Sequence, residues 1–164
     1  MNFIDKRKTN FEGNITILNF LGDMPVENIT GTLNLKELVY DKFKGFKKFQ
    51  IISIASLNSE KSLENVKKEL LKSDELKYWF FATTSDEEIN KIYSSLRSQK
   101  GLDSSNYTSQ VFIIDKQRNQ RGRIDDRDDD QIEKNIDLFG LYSYNSIIVS
   151  VEEAPCTNHH TSNI

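Results

Sequence analysis

The sequence predicts an α/β fold with a central, mostly parallel sheet, a C-terminal antiparallel hairpin and helices on both faces. Three short apolar runs, at residues 15–21 (ITILNFL), 49–55 (FQIISIA) and 77–82 (KYWFFA), are typical of buried strands. Each run is followed by a segment whose apolar residues recur at helical spacing. Residues 110–115 (QVFIID), a polar turn and residues 121–124 predict a hairpin. Strand–helix units in this order favour parallel strands joined by right-handed crossovers.

Local signals locate the three predicted helices. A capping pattern at Asn34 predicts that the first helix begins there, and it should end at Gly45. Either Ser59 or Ser62 can cap the second helix. The third helix has the clearest signal, because a Ser-Asp-Glu-Glu capping box begins at Ser85 and amphipathic spacing follows it.

The acidic run at residues 125–130 predicts a solvated turn, because five of its six residues carry carboxylates. A calcium-binding EF-hand loop beginning within this run would need glycine and glutamate where the chain has Gln131 and Asp137, so that motif is excluded. We expect Arg121 and Arg123 to form surface ion pairs with the run.

The pattern weakens after the acidic run. Residues 138–144 predict an aromatic loop, and residues 146–151 predict one further strand. Neither an internal repeat nor a linker divides the chain. We therefore predict a single domain over residues 1–151, followed by a polar, flexible tail over residues 152–164.

Composition indicates a soluble folded domain. The chain has 164 residues, 37% of them hydrophobic, and a net charge of -3, whereas a disordered chain would have fewer aromatics and a larger charge imbalance. The sequence pI of about 5.5 argues against nucleic-acid binding, which needs clustered Lys and Arg. No apolar run has the length of a membrane span, and the N-terminus has no secretory segment.

All the imidazole and thiol groups of the chain lie in its tail, at Cys156, His159 and His160. The preceding domain therefore lacks the residues of a serine triad with a histidine base, a thiol redox pair or a zinc finger. The three tail residues could reach one copper or zinc ion, but a short flexible segment without supporting contacts would bind it weakly. Their presence is interpreted as incidental, and metal handling by the tail is the alternative.

Several segments resemble those of a known family. The likeness rests on a loop with Pro25 after the first strand, an IISIA-type strand before a Ser/Glu-rich helix start, and YTSQVFIID at residues 107–115 with RGR at residues 121–123. Their order and spacing, over residues 14–126, resemble the thioredoxin-like superfamily and especially its Sco/SenC branch. This resemblance implies a thioredoxin-like sandwich.

The resemblance also implies the place of a copper site that this chain lacks. Sco proteins hold copper with two cysteines of a Cys-Pro-x-x-Cys-type loop and a distal histidine. The first cysteine position is Met24, followed by the expected Pro25, the second cysteine position is Asn28, and the histidine position is Tyr107. A thioether, an amide and a phenol bind copper poorly and cannot cycle a disulfide. These residues either have structural roles or line a reshaped pocket for a partner or ligand.

The leading hypothesis is a non-catalytic, Sco-like interaction or assembly module related to cytochrome c oxidase assembly. The resemblance implies a periplasmic, membrane-tethered protein whose anchor is missing here. It also implies a protein partner, such as an oxidase assembly factor or an intact Sco protein. No cofactor is expected, apart from copper under the alternative hypothesis. A third hypothesis is an enzyme that uses Asp23 and Glu27 as acid and base in the loop after the first strand.

Overall fold

We describe residues 1–98, 100–128 and 130–132 of a computed structural model of the chain. Within these residues six strands form one sheet: β1 (Asn2–Phe3), β2 (Ile15–Gly22), β3 (Phe49–Ser56), β4 (Trp79–Thr84), β5 (Gln110–Ile114) and β6 (Gln120–Asp125). The helical segments are α1 (Ile29–Leu35), a π-helical turn (Lys36–Tyr40), α2 (Asp41–Phe43), a 3-10 turn (Leu57–Ser59), α3 (Glu60–Leu71) and α4 (Asp86–Ser94).

The sheet has the strand order β1-β4-β3-β2-β5-β6. Its centre is parallel, because β2 pairs with β3 and β3 pairs with β4 in the same direction. Both flanks are antiparallel: β5 pairs with β2, β6 with β5, and β1 with β4. The carboxyl ends of β2, β3 and β4 therefore meet at one edge, which is where α/β proteins commonly bind ligands.

Two apolar layers cover the sheet, as the predicted α/β sandwich requires. On one face, Leu35 of α1, Val39 of the π-helical turn and Val66 of α3 pack on the sheet. On the other face, Ile89 and Tyr93 of α4 pack against a second buried cluster. Each fully buried side chain of this kind contributes about 1.5–3 kcal/mol. The predicted fold class, with helices on both faces and the hairpin formed by β5 and β6, is confirmed.

The predicted start of the first helix was wrong. The helix begins at Ile29, and Asn34 lies inside it. Instead of capping, the Asn34 side-chain amide donates to the backbone carbonyl of Asp126 at 2.9 Å. The start of the helix gives no clear signal in the sequence, because Gly31 and the two threonines beside it have low helix propensity. The helix forms nevertheless, since Gly31, Thr32 and Leu35 are buried against the rest of the domain. Tertiary packing outweighs local preference here.

The other two helix signals were located correctly. Ser59 occupies the residue before α3, although its hydroxyl donates to the carbonyl of Asp23 at 2.7 Å rather than capping the helix. Ser85 caps α4, because its hydroxyl accepts from the backbone N–H of Glu88 at 3.1 Å. The third strand runs two residues later than predicted, over residues 79–84.

Some predictions fall outside the described residues. These are the aromatic loop at residues 138–144, the strand at residues 146–151, the domain boundary at residue 151 and the tail over residues 152–164. They stay predictions. Among the residues that are described, every helix is too short or too polar to cross a membrane.

Candidate functional site

The loop after β2 is held at the carboxyl edge of the sheet by a close backbone approach. Gly22 has φ +67°, and a Cβ there would overlap the backbone of Ser105 and Asn106. The next residue, Asp23, donates its N–H to the carbonyl of Ser105 at 2.8 Å. Only glycine fits this combination of positive φ and contact. The turn that precedes β5 is thereby brought against the loop that follows β2.

The same loop is fastened to the connection between β3 and α3. The Asp23 carboxylate accepts a hydrogen bond from the Ser56 hydroxyl, and the Val26 N–H donates to the Ser62 hydroxyl at 3.3 Å. The Asp23 carboxylate therefore helps to hold the two loops together. Within the described residues no hydrogen bond joins the side chains of Asp23 and Glu27, so the structure adds no support for an acid–base pair.

Met24 and Pro25 form the turn of this loop. The N–H of Asn28 lies 3.2 Å from the carbonyl of Met24 and 3.2 Å from that of Pro25, which closes the turn. Pro25 is buried, whereas the Met24 side chain is 44% exposed. The exposed fractions of Val26 and Leu57 are similar, at 43% and 48%. Exposed apolar side chains thus lie on both fastened loops.

Asn28 and Tyr107 are linked by one arginine. The guanidinium of Arg127 donates to Asn28 Oδ1 at 3.3 Å, and its central carbon lies 5.3 Å from the centroid of the Tyr107 ring. The second distance is typical of a cation–π contact. Asn28 Nδ2 in turn lies 3.5 Å from the carbonyl of Leu21 at the end of β2. Two of the residues predicted to form the site therefore share a contact with Arg127.

The Asp103 carboxylate holds the turn that carries Tyr107. The Asp103 carboxylate accepts from the backbone N–H of Tyr107 at 3.0 Å and from that of Ser105 at 2.8 Å. Burial acts to raise the pKa of Asp103, but these hydrogen bonds lower it overall. Burial and the charge of Asp126 raise the pKa of Tyr107 to about 12, so its phenol is neutral at physiological pH.

Asp126 is the most perturbed group near this site. It is only 2% exposed, and among the described residues its Oδ1 and the Tyr107 hydroxyl have no hydrogen-bond partner. Its carboxylate lies against α1 so closely that a Cβ at Gly31 would overlap it. Burial, and then repulsion from Asp125, raise the pKa of Asp126 to about 8. The group therefore holds a proton at neutral pH and can donate a hydrogen bond.

The prediction of a solvated acidic run was wrong for Asp126. The backbone N–H of Asp126 donates to the carbonyl of Ser109 at 2.8 Å, which continues the hairpin by one bond and turns the side chain inward. The ion pairs expected between Arg121 or Arg123 and the acidic run are not seen among the residues that the structure describes. Arg121 Nε pairs with Asp115 at 2.6 Å, and the Arg123 guanidinium donates to the carbonyl of Arg97 at 3.2 Å.

The chemical capacity of the site follows from these groups. Within residues 1–98, 100–128 and 130–132 there is no thiol or imidazole, and no cluster of His, Cys, Asp and Glu could hold a metal ion. The site instead presents a phenol, an amide, a guanidinium and a protonated carboxyl, with exposed apolar side chains beside them. The metal-ligand candidates Cys156, His159 and His160 lie outside the described residues and stay a prediction.

The backbone is similar to solved structures of thioredoxin-like proteins. A SCO1/SenC family lipoprotein from Bacillus anthracis has a TM-score of 0.62 and 13% identity, over 87% of this chain and 90% of that one. BsSco, a member of the Sco family of cytochrome c oxidase assembly proteins, has a TM-score of 0.60 and 13% identity over the same shares. A thiol:disulfide interchange protein of the thioredoxin family from Chlorobium tepidum has a TM-score of 0.52 and 16% identity, over 84% of this chain and 90% of that one.

No protein-family profile matches the sequence, and no curated protein matches it either. At these low identities the structural likeness establishes the fold alone. The chain has a thioredoxin-like fold, as predicted, and its backbone is similar to those of Sco/SenC family structures.

Proposed function

We propose that this chain is a Sco-like domain that acts without catalysis, as an interaction or assembly module related to cytochrome c oxidase. The fold is compatible with this function, and BsSco, to which it is similar, belongs to a family of oxidase assembly proteins. The surface that contacts the partner lies at the carboxyl edge of β2 and β3. The protein acts outside the cytoplasm, as the resemblance implies.

The observation that carries the proposal is the contact of Arg127 with both Asn28 and Tyr107. Under this proposal the two residues occupy ligand positions of the Sco copper site. A guanidinium stays charged at any physiological pH, so a copper ion between them would be repelled. Neither an amide nor a phenol supplies the soft donor that would offset this repulsion. The positions are therefore unsuited to copper, in ligand type and in charge.

Exposed apolar side chains support an interaction role at the same edge. Met24 and Val26 lie on the loop after β2 and Leu57 on the loop after β3, and each has more than two-fifths of its surface in contact with solvent. The two loops are fastened together through Asp23, so these side chains belong to one surface. Exposed apolar groups of this kind are typical of protein contact sites.

The first test is copper binding by the full chain in which Cys156→Ser removes the thiol of the tail. We expect this variant to leave Cu(I) with a competing chelator, measured by absorbance and native mass spectrometry. Stoichiometric copper on the variant would contradict the loss of the site. If the unmodified chain binds copper and the variant does not, the tail performs metal handling, as in the alternative hypothesis.

The second test measures binding to a purified, intact Sco protein. We expect Met24→Asp with Val26→Asp to weaken binding at least tenfold, because a charge in an apolar contact must be desolvated. Leu71→Asp is the matched control, since Leu71 is equally exposed at the end of α3. Equal loss in both variants, or no binding by the unmodified chain, would contradict the proposed contact surface.

A further inference from the structure

A cavity lies at the edge of the sheet opposite the candidate site, where β2 and β3 begin. It has a volume of about 330 Å³, which is at the lower end of the range for small-molecule pockets. Its lining residues are Thr9, Asn14, Lys47, Lys48, Phe49, Gln50, Tyr78 and Phe80. None of these residues belongs to the candidate site at the carboxyl edge.

Two lysines give the cavity a positive charge. Lys47 and Lys48 are exposed, and neither forms an ion pair with any residue that the structure describes. Other lysines near this edge behave differently: Lys44 pairs with Asp74, and Lys67 pairs with Asp5 at 2.9 Å. Asp74 and Asp5 are thus already engaged.

A third lysine adds to this charge. Lys116 lies close enough to Lys48 that repulsion between them, after the larger effect of burial, lowers the pKa of Lys116. The Lys116 carbonyl accepts from the N–H of Gly13 at 2.9 Å, which anchors the residue beside the segment that lines the cavity. An anion bound here would offset the repulsion between these like charges.

The walls of the cavity are partly aromatic. Tyr78 is exposed and Phe80 is half-buried. The guanidinium of Arg7 lies 4.6 Å from the centroid of Phe80, and the ammonium of Lys77 lies 5.5 Å from that of Tyr78. The floor is held rigidly, since the buried Gln50 amide donates to the carbonyl of Asn10 and to the Thr16 hydroxyl, each at 2.9 Å.

We propose that this cavity binds a small phosphate ester that carries a flat ring, the class to which mononucleotides belong. The ammonium groups of Lys47 and Lys48 contact the phosphate, and the ring lies against Tyr78. A phosphate suits the site because it accepts charge-assisted hydrogen bonds, and Lys47 and Lys48 have no ion-pair partner within the described part of the chain. An aromatic ring suits the wall because it can stack on the exposed ring of Tyr78, as bases stack on aromatic side chains. This inference goes beyond the proposed function and is independent of it.

The test is calorimetric titration of the full chain with AMP, adenosine and inorganic phosphate. We expect AMP to bind at least about tenfold more tightly than either fragment, because only AMP uses both the ammonium groups and the aromatic wall. The double variant Lys47→Ala with Lys48→Ala should lose at least tenfold in AMP affinity, since a hydrogen bond to a charged group contributes about 1.5–3 kcal/mol.

The matched control is Lys61→Ala with Lys68→Ala, which removes the same charge from exposed positions on α3. It should leave AMP affinity within about twofold of the unmodified chain. Equal loss in the two double variants would assign binding to net charge and overturn the proposal. So would adenosine binding as tightly as AMP, or no binding of AMP at millimolar concentration.

One further variant separates binding from folding. Lys48 has φ +63°, a left-handed conformation that strains a residue with a side chain and that glycine adopts readily. Lys48→Gly should therefore raise the melting temperature by a few degrees while it weakens AMP binding. If affinity is unchanged in this variant, Lys48 does not contact the ligand and the proposal fails.

Discussion

Replacing Asp126 with asparagine should stabilise the protein at neutral pH. The carboxyl of Asp126 is buried against Gly31 and must take up a proton to fold at pH 7, because its pKa of about 8 is far above its ordinary value of 3.8. In the unfolded chain the same group is ionised at that pH. Asparagine has nearly the same shape and cannot ionise, so Asp126→Asn removes this cost.

The magnitude follows from the two pKa values of Asp126. Between pH 3.8 and about 8 the folded state binds one proton more than the unfolded state, so stability falls as pH rises. The slope is about 1.4 kcal/mol per pH unit, and it vanishes above the folded-state value. At pH 7 the accumulated cost is up to about 4 kcal/mol, which is a large part of the stability of a domain this size.

The assay is urea unfolding of the unmodified chain and of Asp126→Asn at several pH values between about 5 and about 9. We expect the difference in unfolding free energy to grow with pH and to level off near pH 8. Asp128→Asn is the control, because Asp128 is exposed and, among the described residues, its carboxylate accepts only the N–H of Gln131 at 3.1 Å. A difference between Asp126→Asn and the unmodified chain that does not change with pH would refute the reasoning.

Three further predictions concern local contacts. Gly31→Ala should lower the free energy of unfolding by about 1–3 kcal/mol, because the added methyl group would overlap the Asp126 carboxylate. Adding Asp126→Ala to this variant should restore much of that stability, and a double-mutant cycle measured by urea unfolding would show the coupling. Ser85→Ala should cost about 1 kcal/mol of unfolding free energy with an unchanged dependence on urea, because one helix cap is lost. Burial acts to raise the pKa of Asp5, but hydrogen bonds from Lys67 and Arg7 lower it to about 2. About 2 kcal/mol of stability should therefore be lost as pH falls from about 4 to about 2, and Asp5→Asn should not show this loss in acid titrations of unfolding.

The sequence could predict much of the architecture because strand and cap signals are local. Three apolar runs correspond to the three parallel strands β2, β3 and β4, and the capping box at Ser85 is present in the structure. The first helix was placed too late, since its start depends on a glycine that packs against Asp126, nearly a hundred residues away in the chain. A contact over such a distance leaves no periodic signal.

The candidate site could be predicted only in part. The loop positions Met24, Pro25 and Asn28, with Tyr107, came from a resemblance, and the structure places Asn28 and Tyr107 on one arginine. Asp126 and Arg127 were missed as site residues because an acidic run normally faces solvent. Asp126 and Arg127 reach the site because β6 ends at Asp125 and the next side chain, that of Asp126, is buried.

Gain of copper binding tests the central claim most directly: that Met24, Asn28 and Tyr107 occupy the ligand positions of a Sco-type site. The measurement is Cu(II) titration of Met24→Cys, Asn28→Cys and Tyr107→His, combined with Arg127→Ala and Cys156→Ser. We expect one copper ion per chain with a thiolate charge-transfer band, because two thiolates and an imidazole then converge. The control introduces its histidine as Tyr78→His, at the opposite edge of the sheet, and should bind copper much more weakly. Equal copper affinity in the two variants, or no band in either, would contradict the assignment.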